Sequence, residues 1–164
     1  MAKIISSRSA FTALIAAFLL HNVEEAITIC RYPVENPFPA IQPASCRQFL
    51  VAVSILSVAG LVVYIFAMRT KKIPVYHFIS TGLAAVLLLN VLMPHVFVAI
   101  YTLHYTPGLV SAVLLNLPLS LIVLIKNHKL YHTKLQFVKN IFIGFLIGYL
   151  LFAAIMRLVY VVIN

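Results

Sequence analysis

Long apolar runs, separated by short polar or basic segments, are the dominant pattern along this chain. Each run approaches the roughly 20 residues that an α-helix needs to cross a bilayer. The pattern predicts five transmembrane helices, at about 9–29, 48–68, 76–103, 109–125 and 138–163. We therefore expect an all-α, polytopic membrane helix bundle that forms a single integral membrane domain over residues 1–164.

The segments between the runs support these limits. Prolines at 33, 37, 39 and 43 forbid a regular helix between the first two runs. The connection HYTPG is short, so the third and fourth helices should be antiparallel neighbours. The first run contains carboxylates and no small-residue cleavage site follows it, which favours a retained helix over a signal peptide.

Composition and charge narrow the class of protein. Hydrophobic residues make up 63% of the chain, too many for an ordinary soluble domain. The net charge of +9 would suggest nucleic acid as a partner of a soluble chain, but Lys and Arg here cluster at helix ends, as in membrane proteins. We predict no nucleic-acid partner, a multi-pass protein of the bacterial plasma membrane, and an N-terminus inside. That orientation collects inside Lys3, Arg8, Arg69, Lys71, Lys72, Lys126, Lys129, Lys134 and Lys139, and leaves only Arg31 and Arg47 outside.

The segment HNVEE interrupts the first apolar run. Glu24 and Glu25 follow His21 by three and four residues, so one face of a helix carries all three side chains. Charged groups inside a membrane helix are costly, and their presence indicates a functional site. The chain has three acidic residues in all, and two of them are here.

Other unusual polar residues fall at a similar depth. With the N-terminus inside, His95 lies in the outer half of the third helix, Tyr105 and Ser111 lie at the outer start of the fourth, and Arg157 lies in the outer half of the fifth. Four segments thus place their polar residues in the outer leaflet. Arg157 has no acidic neighbour in its own helix, so we predict that it faces Glu24 or Glu25.

Two imidazoles and two carboxylates form a credible ligand set for a divalent metal. His21, Glu24, Glu25 and His95 suit zinc or iron, which accept nitrogen and oxygen ligands and can keep a position open for water. Two adjacent glutamates cannot point identically, so one is expected to bind metal and the other to act as a base. We predict metal-assisted hydrolysis of a lipid or other apolar substrate, with Tyr105 or Ser111 as a donor to the developing oxyanion.

Three other interpretations of the same residues stay open. Without metal, the histidines and glutamates could perform acid/base catalysis, as in an isomerase or cyclase. Buried carboxylates and histidines also form relays in proton or metal-ion transporters, although the sequence has no inverted repeat. The fourth interpretation is a purely structural network that Arg157 neutralises.

The third helix contains a further polar element. Pro94 cannot donate a hydrogen bond to the carbonyl of Asn90, so the helix is expected to present a free carbonyl beside the Asn90 amide. A packing kink is an equally good explanation of the proline.

The two cysteines flank the Pro-rich loop. Cys30 ends the first helix and Cys46 begins the second, both on the face predicted to be outside. Because that face is usually oxidising, we predict a disulfide that closes the loop. Two free thiols are the alternative.

These motifs resemble the HXXEE-domain family of small integral membrane proteins. The resemblance covers nearly the whole chain and implies a similar length and helix count; its motifs have suggested a membrane enzyme, without a reaction. The positions that match are His21, Glu24, Glu25, Asn90, His95, Tyr105, Pro107, Gly108 and Ser111. In the family pattern we expect the Asn and the His of the middle element one helical turn apart, whereas here they are separated by five residues, with Pro94 between them.

Overall fold

The structure is a computed structural model that describes residues 2–32, 45–131 and 133–163. Its described residues form α-helices and two π-helices, with no strand among them. The α-helices are α1 (Ala2–Thr28), α2 (Cys46–Arg69), α3 (Ile73–Asn90), α4 (Phe97–Thr102), α5 (Leu109–Ser111), α6 (Leu117–His128) and α7 (Lys134–Val162). The π-helices are Val91–Val96, between α3 and α4, and Ala112–Asn116, between α5 and α6.

Five stretches of helix, some of them made of consecutive α- and π-helices, are long and apolar enough to cross a membrane. We call them spans one to five: Ser7–Thr28, Cys46–Arg69, Ile73–Thr102, Leu109–His128 and Lys134–Val162. The predicted all-helical membrane bundle and its five helices are therefore confirmed. The inside location of the N-terminus and the bacterial plasma membrane remain predictions.

Local sequence explains where the spans begin and end. Ser45 and Gln48 form a capping box at the start of span two, in which each side chain accepts a hydrogen bond from the other residue's backbone N–H. Pro74 lies in the first turn of span three, where its missing N–H costs no hydrogen bond. Span four begins after Gly108, whose φ of 78° is readily adopted only by glycine.

Each π-helix is associated with a proline. Pro94 lies inside the first π-helix, and Pro118 follows two residues after the second. Because proline lacks an N–H and crowds the preceding turn, it disturbs the regular α-helical ladder. The wider i→i+5 turn accommodates that disturbance, and such turns often occur at functional sites.

Close apolar packing helps to hold together the half of the bundle that contains the N-terminal part of span one. A cluster of buried side chains joins spans one to four, and includes Phe11, Leu14, Ala67, Tyr76, Ala84, Leu87 and Val123. Spans three and five touch at Gly82 and Gly144, where a Cβ on either glycine would collide with the Cα of the other. Small residues at such crossings let two membrane helices approach closely.

The two cysteines are joined in the structure. Cys30 follows α1 and Cys46 begins α2, with their Cα atoms 5.4 Å apart, a separation typical of disulfides. The bond closes the segment that contains residues 33–44, which lie outside the described part of the chain.

We predict that both thiols are oxidised in the protein isolated from its membrane. Cys30→Ser should lower the apparent Tm, because closure of a loop of this size contributes about 3 kcal/mol in the chain-entropy model. Mass spectrometry after alkylation without reductant measures the bond, and the reduced sample is its control. Labelling of both thiols before reduction would contradict the prediction.

Candidate metal centre

Spans one and three bring two imidazoles and one carboxylate together. Glu25 Oε1 lies 3.6 Å from His21 Nε2 and 3.3 Å from His95 Nε2. The two imidazole rings meet edge to face, with centroids 4.6 Å apart. His21 is fully buried and His95 is 3% exposed. The three ligand atoms therefore face one another inside the bundle.

The connection between spans three and four orients both rings. His21 Nδ1 lies 3.1 Å from the Gly108 carbonyl oxygen and 3.1 Å from Ser111 Oγ. The His95 ring hydrogen-bonds to the Pro107 carbonyl. A carbonyl at one ring nitrogen makes that nitrogen the donor and leaves the lone pair of Nε2 directed at the other members of the group. Metal-binding histidines are held in this way.

The first π-helix explains how Asn90 and His95 can be neighbours despite their spacing. Asn90 Nδ2 lies 3.3 Å from His95 Nε2 and 3.4 Å from His21 Nε2. In a regular α-helix, residues five apart diverge around the axis, but the i→i+5 turn at Val91–Val96 returns them to one face. The unusual spacing is thus compensated by the backbone, and Asn90 lies at the site.

Glu24 contacts a different set of groups from Glu25. Its Oε1 accepts hydrogen bonds from the Tyr105 hydroxyl (2.6 Å) and the Val110 N–H (3.2 Å), and its Oε2 accepts one from the Ser111 N–H (2.7 Å). The Val110 and Ser111 amides belong to the first turn of span four, where an anion is stabilised by free N–H groups and the helix dipole. The hydrogen bonds of Glu24 therefore connect span one to the start of span four.

Gly108 lies where span four meets the candidate metal-binding group, which consists of His21, Glu25 and His95. A Cβ at this position would come within 2.6 Å of both His21 Cε1 and Glu25 Cγ. The positive φ and the close approach both require glycine here. The backbone can reach His21 only because this residue has no side chain.

Comparisons with known proteins identify the family of this chain. The model of a family described as "Protein of unknown function with HXXEE motif" matches residues 12–123. The chain belongs to this family. The uncharacterized protein YrkK of Bacillus subtilis (strain 168) is 24% identical over 108 residues, which cover 66% of this chain and 68% of YrkK. No solved structure matches the chain.

In this chain, the two glutamates of the HXXEE motif have different contacts. The group that could hold a metal ion consists of His21, Glu25 and His95, whose ligand atoms all lie within 4.8 Å of one another. Glu24, which the sequence also suggested as a ligand or base, is outside this group. Its carboxylate is already engaged by three donors at the start of span four.

Tyr105 and Ser111, expected as oxyanion donors, support the site in another way. The Tyr105 hydroxyl donates to Glu24, and the Ser111 hydroxyl contacts the His21 ring and the Gly108 carbonyl. Partial burial and the hydrogen bond to Glu24 raise the pKa of the Tyr105 phenol, which keeps its proton on the oxygen. The two hydroxyls thus hold Glu24 and His21 in place, and their role as oxyanion donors remains a prediction.

Arg157 is a correction to the sequence-based prediction. Its side chain is exposed, and its guanidinium carbon lies 6.0 Å from the centroid of the Tyr160 ring. Glu25 instead lies beside His21 and His95. Within the part of the chain that the structure describes, Arg157 forms no ion pair with Glu24 or Glu25. A long cationic side chain on a lipid-facing surface can reach the headgroups, so it needs no buried acid.

Sequence reasoning did not single out Thr106 and gave Pro107 no role beyond its place in a motif. The Thr106 hydroxyl donates to the His95 carbonyl at 3.2 Å, and the Pro107 carbonyl orients the His95 ring. Both contacts come from backbone or side-chain groups of the turn before span four, which the residue types alone do not reveal.

We predict that Glu24→Gln destabilises the protein more than Glu25→Gln when both are measured without metal. Gln would place an amide donor against the backbone donors of Val110 or Ser111 and remove the charge at the helix start. The expected loss is about 2 kcal/mol of unfolding free energy. Thermal unfolding followed by circular dichroism in the presence of chelator measures the difference. Equal Tm values for the two variants would contradict the capping role.

Proposed function

We propose that this protein is a membrane-embedded, metal-dependent hydrolase whose substrate is a lipid or another apolar ester. The observation that supports the proposal is the convergence of His21 Nε2, His95 Nε2 and Glu25 Oε1 inside the bundle. Two histidines and one glutamate are the ligands of several catalytic zinc sites, in which the fourth position belongs to water.

The separations between the ligand atoms fit a divalent ion. Bonds of 2.0–2.1 Å to a tetrahedral zinc require ligand atoms about 3.3 Å apart. Glu25 Oε1 is 3.3 Å from His95 Nε2 and 3.6 Å from His21 Nε2, and all three ligand atoms lie within 4.8 Å of one another, so a bound ion would draw them together. The carbonyls that hold the outer ring nitrogens add the support that metal ligands need. Zinc and iron both suit this set.

A bound ion would lower the pKa of a water molecule and polarise a substrate carbonyl. The protein's own groups then have defined tasks. Glu25 Oε1 faces the two imidazoles, which leaves its second oxygen to accept the proton of the water. Asn90 donates toward the centre from the third span and can hydrogen-bond the reacting oxygen. Glu24 keeps span four, and with it the His21 partner Gly108, in position.

The surroundings favour an apolar substrate. An open groove of about 790 Å³ runs between spans three and four and ends at Tyr105, next to Glu24. Its lining is Val96, Ala99, Ile100, Leu103, His104, Tyr105, Leu109, Val110, Val113 and Leu114. Almost all of these side chains are apolar, and the groove opens on the surface that faces lipid. An acyl chain would lie there with its polar end toward His104 and Tyr105.

A metal-free acid/base enzyme is the second candidate. The 3.3 Å contact between Glu25 and His95 is already an ion-pair or hydrogen-bond distance, and Asn90 bridges the two histidines. The group is therefore satisfied internally and could move protons on an apolar substrate without an ion. Insensitivity of the activity to chelators distinguishes this candidate from the hydrolase.

We predict that the purified protein binds one zinc or iron ion per chain. His21→Ala and His95→Ala should each lose the metal, because removal of one ligand from a set of three leaves too few. The matched control is His128→Ala, which removes an exposed histidine far along span four from the site. Glu24→Gln should keep its metal, because Glu24 is not a ligand. Elemental analysis of each variant after dialysis gives the ratio of metal to protein.

Activity is measured on the same samples with 4-nitrophenyl palmitate in mixed micelles. The wild type and His128→Ala should release nitrophenol, and chelator should stop the release until zinc is restored. Both site variants should be inactive. Full activity in metal-free protein would refute the hydrolase and favour the acid/base enzyme, and metal binding that survives both histidine variants would refute the ligand set.

A further inference from the structure

One face of span four carries a row of buried polar residues. Ser111, Asn116, Ser120 and Asn127 all lie on the side that packs against the other spans, and the last three are completely buried. Polar side chains inside a membrane bundle are costly unless they find hydrogen-bond partners. The residues of this row differ in whether they have such partners.

Asn127 is fully satisfied by protein groups. Its Oδ1 accepts a hydrogen bond from the Ser7 hydroxyl at 2.6 Å. Its Nδ2 donates to Ser80 Oγ at 2.8 Å and to Thr81 Oγ1 at 3.1 Å. This asparagine ties together spans one, three and four at the end of the bundle opposite the metal-binding group.

Asn116 and Ser120 differ from Asn127. Neither Nδ2 nor Oδ1 of Asn116, nor Oγ of Ser120, has a hydrogen-bond partner among the described residues, although all three atoms are buried. The two residues are four apart at the start of α6, so their side chains lie one above the other on the same face. Asn116 thus offers an NH₂ donor and an acceptor oxygen, and Ser120 offers a hydroxyl that can donate and accept. These groups lie on the same face of the span.

This face of span four also carries the residue that contacts His21. The second π-helix separates Ser111 from Asn116 by one wide turn, and Ser111 Oγ lies 3.1 Å from His21 Nδ1. On the other side, Val123 belongs to the apolar cluster and separates Ser120 from Asn127. The unpartnered atoms of Asn116 therefore lie about one π-helical turn from the residue that contacts His21, and Val123 lies between Ser120 and Asn127.

We propose that Asn116 and Ser120 bind ordered water and that this water is the reserve from which the hydrolytic nucleophile is drawn. A buried water typically makes about three hydrogen bonds to polar groups that are otherwise unsatisfied, which is the number of atoms available here. No formal charge is present on either side chain, so the site suits a neutral, donor-and-acceptor ligand. The nucleophile role rests on the proposed hydrolase; the water site does not.

The ester and the water then reach the centre by different routes. The apolar ester enters from the lipid through the groove between spans three and four, and water reaches the centre from inside the bundle. In the reaction, the water oxygen bonds to the acyl carbon and the ester C–O bond breaks. One water proton goes through Glu25 to the leaving alcohol and the other stays on the acid product, so the atoms balance.

The direct test is a water–amide NOE experiment on protein labelled with ¹⁵N-asparagine in lipid nanodiscs. The Asn116 side-chain NH₂ signal, assigned by its loss in Asn116→Leu, should show a cross-peak at the water frequency. The internal control is the Asn127 side chain, equally buried on the same helix but fully partnered, which should show none. A missing cross-peak at Asn116 overturns the water site, whatever the activity.

Asn116→Leu provides an independent measurement. If water satisfies the amide, the substitution removes good hydrogen bonds and lowers the apparent Tm by about 2–4 °C. If the amide were dry and unsatisfied, the apolar isostere would raise Tm, and the inference would be wrong. Ser120→Ala tests the same site with a smaller change in volume.

Kinetics separate this inference from the proposed function. Asn116→Leu should lower kcat on 4-nitrophenyl palmitate about tenfold with unchanged metal content and KM, whereas Ser54→Ala, on an exposed face of span two, should change neither constant. Unchanged kcat in Asn116→Leu overturns the nucleophile role. A water cross-peak in a protein that hydrolyses no ester overturns the hydrolase and the nucleophile role together, and leaves the water site established.

Discussion

Two adjacent carboxylates in a membrane-spanning helix are the constraint on which the rest of this structure depends. Each would be prohibitively costly alone in lipid, and each has its own solution. Glu24 accepts hydrogen bonds from the first backbone N–H groups of span four and from Tyr105. Glu25 faces His21 and His95. In this chain, the HXXEE motif therefore places a glutamate that holds span four directly before a glutamate of the candidate metal-binding group.

The two solutions depend on each other through the turn before span four. Because Glu24 holds the start of that span, the carbonyl of Gly108 reaches His21 and the carbonyl of Pro107 reaches His95. Those carbonyls turn the other nitrogens of both rings toward Glu25. A change at Glu24 should thus be felt at the metal-binding group, although its carboxylate is not part of that group. Span four also carries residues that line the apolar groove, such as Val110 and Leu114, and the buried Asn116.

The helix count and most of the site follow from the sequence because both depend on local patterns. Apolar runs of bilayer length and the i, i+3, i+4 spacing of His21, Glu24 and Glu25 are visible without a structure. The pairing of Asn90 with His95 is not, because it depends on a π-helix that changes the residues per turn. The different contacts of Glu24 and Glu25 are also not visible, because Glu24 accepts hydrogen bonds from backbone N–H groups of span four. Charge and a similar depth in the membrane predicted Arg157 beside a carboxylate, whereas its long side chain is exposed.

The central claim is that His21, Glu25 and His95 bind one catalytic metal ion. X-ray absorption at the zinc edge, on zinc-loaded protein in detergent, measures the ligands directly. We expect two imidazole nitrogens and carboxylate or water oxygens at about 2.0–2.1 Å in the wild type and in His128→Ala, and no bound zinc in His95→Ala after dialysis. A spectrum with no imidazole scattering, or one that His95→Ala leaves unchanged, would contradict the metal centre.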